Sequence, residues 1–185
     1  MASSTEICNQ ALILLGQEPI ITLDDSTKQS RLCKRLYQPV LEALLRAYPW
    51  TFAIKRRILA RDLEMPEFGY VYQYTLPSEC LRIVSVNIPS EDYVIEKNKI
   101  LTDHDDVRLR YVGMTDSTND FDAQFVQVLA HRLAKTMCQA LTADQDLFVK
   151  LSQTEAQLIV LAQNTNAIET TPQPVVEGPW IPSRY

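Results

Sequence analysis

Glycine is scarce in this 185-residue chain. The four residues stand at positions 16, 69, 113 and 178, and their spacing builds none of the glycine-rich loops that cradle phosphates. Histidine is scarcer still, with two residues. The cysteines, Cys8, Cys33, Cys80 and Cys138, lie far apart, with neither a CxxC pair nor cysteine–histidine ligand spacing, which argues against structural zinc. They read as small buried hydrophobes in a reducing compartment, with a disulfide left open. No GxSxG elbow or cysteine–histidine signature is present, and the scattered serines lack a nearby base. No apolar run approaches the roughly 18 residues of a membrane span. The opening Met1-Ala2-Ser3-Ser4-Thr5-Glu6 has neither a basic n-region nor an apolar h-region, so a soluble protein made in the cytoplasm is expected. Positive charge is not in surplus either. Lys and Arg number 18 against 23 Asp and Glu, a net charge of -5. General attraction to DNA or anionic lipid is therefore excluded, and any nucleic-acid contact must be non-adhesive or confined to a local patch.

What remains is ordinary globular material, 46% apolar and 22% charged. At this length folding buries roughly 70% of the unfolded surface, enough for one unit or one unit with an insertion. The pivotal stretch is Tyr48-Pro49-Trp50-Thr51-Phe52-Ala53. Pro49 pushes Tyr48 out of the α region and marks a helix boundary. Trp50 and Phe52, two apart, share a face of an extended chain and are expected in the core, as large aromatics usually are.

Before that stretch the apolar period is helical. Ser3 and Glu6 have capping-box spacing for a helix starting near residue 4, with Ile7, Ala11, Leu14 and Leu15 as its stripe and Gly16 as its stop. Asp24 or Asp25 is placed to cap a second helix over residues 26–47. Its double apolar row (Leu32, Leu36, Val40, Leu44 beside Cys33, Tyr37, Leu41, Leu45) suits a central bundle position. Pro39 is expected to kink this helix without dividing it. Lys28, Arg31, Lys34 and Arg35 form a basic side, read as a solvated face.

After Trp50 the period changes to two. Strands are predicted at residues 52–59, 70–76, 80–86, 93–96, 99–101 and 107–112, in one small antiparallel sheet. Tyr70, Tyr72 and Tyr74 would line one face of the second strand. Residues 76–79 read as a turn and Lys97-Asn98 as a tight hairpin. Helices return with Asp120 as the predicted cap of residues 121–141, carrying Phe125, Val128, Leu129, Leu133, Met137 and Ala140 inward. Thr142 and Gln145 then have capping-box spacing for a fourth helix with Leu147, Leu151, Leu158, Leu161 and Ala162, fading near Asn164. The short connection makes these two an antiparallel hairpin.

The predicted class is α+β: an antiparallel bundle of about four helices from residues 1–49 and 114–168, an inserted β region at 50–113, and an extended tail at 169–185. Residues 170–185 hold four of the ten prolines yet also Val175, Val176, Trp180, Ile181 and Tyr185, which a freely solvated tail does not need. Such a segment is expected to dock, on a partner or back onto its own domain. The best catalytic candidate is Asp103, His104, Asp105 and Asp106, where carboxylates beside an imidazole suit a metal or a proton transfer. Aspartate-rich turns between strands are common for backbone reasons alone, and that reading is preferred. His131 reads as a packing or surface residue. No catalytic, metal-binding or cofactor-binding residue is assigned.

The order of motifs carries a resemblance. Ala11-Leu12-Ile13-Leu14-Leu15-Gly16 precedes Ile20-Ile21-Thr22-Leu23-Asp24-Asp25 and Cys33-Lys34-Arg35-Leu36-Tyr37. Leu44-Leu45-Arg46-Ala47-Tyr48-Pro49-Trp50-Thr51-Phe52-Ala53 follows, then Tyr70-Val71-Tyr72-Gln73-Tyr74-Thr75-Leu76-Pro77 and Cys80-Leu81-Arg82. Over residues 7–161 this series resembles the head-to-tail adaptor (connector) family of tailed bacteriophages, of the tail tubular protein A type. The resemblance implies a helical bundle with an inserted β region and no catalysis or cofactor. It implies a ring, usually of twelve copies, beneath the portal protein and joined to tail nozzle or other tail proteins. Double-stranded DNA would pass through its lumen without sequence-specific binding or any membrane. Such a protein is made in the host bacterial cytoplasm and resides in the virion neck. On that implication the portal or a neighbouring subunit is expected to meet Val175, Val176, Trp180, Ile181, Arg184 and Tyr185, with Trp180 and Tyr185 as anchors. The alternatives are a transient assembly factor, which would be missing from finished particles, and a small metal-dependent enzyme using residues 103–106.

Overall fold

A computed structural model of the chain describes residues 2–169. Its first helix, α1 (Ser4–Leu14), is fixed at both ends by local sequence. Ser3 Oγ accepts from the Glu6 amide at 3.1 Å while Glu6 Oε2 accepts from the Ser3 amide at 2.7 Å, so two otherwise unpaired donors are satisfied reciprocally. At the other end Gly16 takes φ +65°. The amides of Gly16 and Gln17 return to the Ile13 and Leu12 carbonyls, the paired closure that a left-handed residue permits. Ser3→Ala is expected to cost about 1 kcal/mol, read as a lower urea midpoint with an unchanged slope. Asn9 then holds the following linker, its side-chain amide exchanging two hydrogen bonds (2.9 and 2.8 Å) with the Ile20 backbone.

The second helix, α2 (Lys28–Ala47), starts two residues later than the sequence suggested and uses a different cap. Thr27 Oγ1 accepts from the Ser30 amide at 3.1 Å. The Asp25 carboxylate is already engaged by the Ile21 and Thr22 amides and the Thr22 hydroxyl, so a local turn outcompetes the cap for this side chain. The helix runs as one element through Pro39, whose ring is exposed. The side chains of Cys33, Val40, Leu41, Leu44 and Leu45 are buried, while Lys28, Arg31, Lys34 and Arg35 are exposed, as a solvated face requires.

At the end of α2, Tyr48 is extended (φ -142°, ψ 145°) before Pro49. Trp50 is 1% exposed, and its Nε1–H donates to the Leu44 carbonyl at 3.0 Å. The indole thus satisfies one of the carbonyls that the last helical turn leaves without a partner. Contrary to the sequence expectation, no strand starts at Phe52; Thr51–Ala53 is a short 3-10 turn. Trp50 and Phe52 nevertheless share the core, with ring centroids 6.3 Å apart. Phe125 sits 5.1 Å from Trp50 and 4.9 Å from Phe52, both in edge-on contact.

Six strands follow: β1 (Ile54–Leu59), β2 (Tyr72–Thr75), β3 (Cys80–Val86), β4 (Tyr93–Glu96), β5 (Lys99–Thr102) and β6 (Val107–Gly113). They form two antiparallel three-stranded sheets, ordered β1-β6-β3 and β2-β5-β4, where one sheet was predicted. The strand period reveals which side chains share a face but not which strand lies alongside. Val107, Leu109 and Tyr111 of the first sheet meet Tyr74, Leu76 and Ile100 of the second in a small core of their own. Val112, on the opposite face of β6, belongs to the helical core. The β1-β6-β3 sheet is therefore the middle layer, with helices on part of one face and the second sheet on the other. The β4–β5 hairpin turns at Lys97 (φ +52°) and Asn98, as predicted. The predicted all-tyrosine face is not formed: Tyr70 precedes β2, Tyr72 is half-buried beneath Arg61, and Tyr74 is buried.

The third helix, α3 (Ala123–Leu141), is capped by Asp122 rather than Asp120, which lies in a 3-10 turn. Phe125, Val128, Leu129, Leu133 and Met137 are buried, but Ala140 is exposed. The predicted Thr142–Gln145 box is replaced. Thr142 Oγ1 donates back to the Cys138 carbonyl at 2.9 Å, and Asp144 Oδ1 accepts from the Leu147 amide at 3.0 Å. The last helix, α4 (Gln145–Glu169), continues past Asn164. Asn166 Oδ1 accepts from the Thr51 amide and hydroxyl at 2.8 and 2.9 Å, which ties this extra turn to the aromatic pivot. Leu151 and Ala162 are buried on α4, whereas Leu161, expected inward, is 51% exposed. Glu155, 2% exposed, fastens α4 to α3 through Arg132 and Lys135. The architecture is α+β.

Candidate functional site

The acidic segment at residues 103–106 does not converge. Asp103 Oδ1 accepts from the Val71 amide at 2.8 Å, His104 Nε2 lies 3.3 Å from Asp92, and Asp106 pairs with Arg108 at 2.9 Å. These three side chains are each spent on a different neighbour, and Asp105 is exposed. Among the described residues no group of three or more His, Cys, Asp or Glu is gathered for a metal ion. The four cysteines are free thiols, three of them buried. A hydrogen bond from the Cys8 thiol to Cys33, together with burial, pushes Cys8 far up, which leaves it unreactive as a nucleophile. His131 Nδ1 contacts the Gln127 carbonyl one helical turn back.

The carboxylates of Glu79 and Asp62 are structural as well. Hydrogen bonds from Lys55 (2.5 Å) and the Tyr111 hydroxyl (2.7 Å) hold Glu79 below the usual carboxylate range. The same Lys55 donates to the Met114 carbonyl, which joins β1 to the exit from the sheet. Burial pushes Asp62 up, but Lys99 and Thr75 outweigh it and leave the group below its ordinary value.

The unspent charge lies elsewhere, on the part of the middle sheet that the helices leave uncovered. Side chains directly opposite on antiparallel strands point to the same face. In this register Arg56 of β1 faces Arg110 of β6, Ile58 faces Arg108, and Ser85 of β3 flanks Arg110 on its far side. The face that carries Val112 into the helical core thus ends, two and four residues further along, in three arginines. They line a shallow groove of about 420 Å³ with Ile58, Ser85 and Asn87. Only Arg108 has an ion-pair partner, Asp106, among the described residues. Arg110 Nε is enclosed and donates to no acceptor there. Planar guanidinium forks at this spacing suit oxyanions, which they bind bidentately.

Beside this groove in the chain lies an apolar segment. Ile58 is 69% exposed, and Leu63, Met65 and Phe68 in the β1–β2 connection are 103%, 73% and 86% exposed. The alternation of a strand puts Arg108 and Arg110 on one face of β6, but no local signal places Arg56 beside them. Its apposition to Arg110 depends on a pairing between residues more than 50 positions apart. The predicted docking residues Val175, Val176, Trp180, Ile181, Arg184 and Tyr185 lie outside the described residues. Among those described, no helix is long and apolar enough to cross a membrane. No protein-family model matches the chain, and no curated protein matches it.

Proposed function

We propose that this chain is a structural subunit of a phage neck, a head-to-tail adaptor that forms a ring beneath the portal. The ring, of about twelve copies as in the resembling family, joins the portal to tail proteins and provides a passage for double-stranded DNA. Supporting this reading is the way its functional groups are spent. Glu79, Asp62 and Glu155 are held in sheet joints and a helix pair, while Arg56 and the large apolar side chains of Ile58, Leu63, Met65 and Phe68 are exposed. Surfaces of that composition suit binding to neighbours, since arginine and large apolar groups are favoured in interface cores. A repeated heterologous contact closes into a ring when each rotation fits, and an acidic subunit limits adhesion of passing DNA.

In this assembly residues 170–185 reach the portal or a neighbouring subunit, with Trp180 and Tyr185 as anchors. Removing residues 170–185 is expected to abolish binding to a portal ring and to leave the helical circular-dichroism signal intact. Undiminished portal binding by the shortened chain would refute this assignment.

A further inference from the structure

We infer that the arginine groove over β1, β6 and β3 is one half of a subunit–subunit contact and receives carboxylates from a second copy of this chain. The inference rests on the ring reading above. Its first support is the register. Arg56 directly opposite Arg110 is a like-charge pair, which destabilises an isolated sheet. The sheet tolerates it here with Arg108 two residues further along the same strand and Arg110 Nε without an acceptor among the described residues. Such a cluster is completed by an anion that supplies several oxygens at once.

Two anions suit guanidinium forks, phosphate and carboxylate, and the surroundings favour the second. A second copy, with 23 Asp and Glu against 18 Lys and Arg, offers surplus carboxylates of its own. The groove is also partly apolar. Ile58 is largely exposed on the same face, and the exposed Leu63, Met65 and Phe68 follow it in the chain. A partner with its own apolar side chains buries these, and a phosphate backbone does not. Finally, β1 is an edge strand of its sheet, so its outer backbone groups are open to a neighbour. The contact pairs a basic face with an acidic one, hence it is heterologous, the type that propagates around a ring.

The test uses the full chain and the double variant Arg56→Ala/Arg110→Ala. Sedimentation velocity over a range of protein concentrations, in low and high salt, gives the self-association constant. The wild type is expected to associate in low salt and to weaken as salt screens the contact. The double variant is expected to lose roughly tenfold or more in association, with a thermal midpoint no lower than the wild type because a repulsive pair has been removed. Arg56→Lys/Arg110→Lys, which keeps the charge without the fork, should fall between them. A wild type that stays monomeric at every concentration in low salt overturns the inference, as does a double variant that associates as tightly as the wild type. A parallel gel shift with a short DNA duplex covers the other anion. Duplex binding that the double variant loses while self-association stays unchanged assigns the groove to phosphate and also overturns it. The ring reading fails separately, when the wild type does not join a portal ring.

Discussion

Trp50→Ala is expected to remove about 3–5 kcal/mol of stability, the range for emptying a large aromatic site in a core. Against a typical total of roughly 5–15 kcal/mol, this leaves a marginal fold. Three separate losses combine. The indole is 1% exposed, so its volume becomes a cavity. Its rings meet Tyr48 at 5.0 Å and Phe125 at 5.1 Å edge-on and Phe52 at 6.3 Å in a stacked pair, and such aromatic pairs are worth about 0.5–1.5 kcal/mol each beyond burial. The Leu44 carbonyl, which accepts the indole N–H, is left with a buried deficit of about 1–3 kcal/mol. Trp50→Phe separates these contributions, because it keeps most of the apolar contact and loses the donor. Urea titrations followed by circular dichroism should therefore rank wild type, Trp50→Phe and Trp50→Ala in falling order. An alanine variant within about 1 kcal/mol of wild type would show that helices and sheet are joined elsewhere.

Glu155→Ala is expected to cost about 1.5–3 kcal/mol, because it removes the carboxylate that accepts from Arg132 and Lys135 and leaves these two part-exposed cations without it. The side chain of Glu155 is 3% exposed, and Arg132 Nε reaches it at 2.6 Å with Lys135 on the other oxygen. Burial pushes this carboxyl up, but the hydrogen bonds and charges of Lys135 and Arg132 outweigh it, so the group ends below its ordinary value. The sign of the pH effect follows. A carboxyl whose folded pKa is depressed adds stability above its unfolded value of about 4.3. That contribution fades as pH falls from there through the folded value. The gap between wild type and Glu155→Ala should thus be full at neutral pH and shrink steadily below about pH 4. A gap that widens on acidification would mean that the ion pair is not what holds α4 to α3.

Much of the fold is legible because its signals are local. The Ser3–Glu6 capping box, the extended Tyr48 before Pro49, the strands Cys80–Val86 and Tyr93–Glu96 and the Lys97-Asn98 hairpin all stand where a few adjacent residues put them. Failures occur where neighbours compete or where pairing is distant. Asp25 and Thr27 are both good caps, and the turn at Thr22 decided between them. Leu161 and Ala162 both continue the apolar stripe of α4, yet only Ala162 is covered, because which side of a helix meets a neighbour is set by the tertiary packing. The separation into two sheets, and with it the facing of Arg56 and Arg110, is invisible to a period of two. The arginine groove went unread for the same reason, since its members come from three strands and no short motif contains them.

The central claim, that this chain packs itself and grips its neighbours in a neck ring, is tested most directly by native mass measurement of the protein alone and mixed with a portal ring. The predicted result is a single complex carrying a ring's worth of copies, about twelve by the resembling family's symmetry. A mixture in which the portal keeps its own mass and this protein remains free would contradict it.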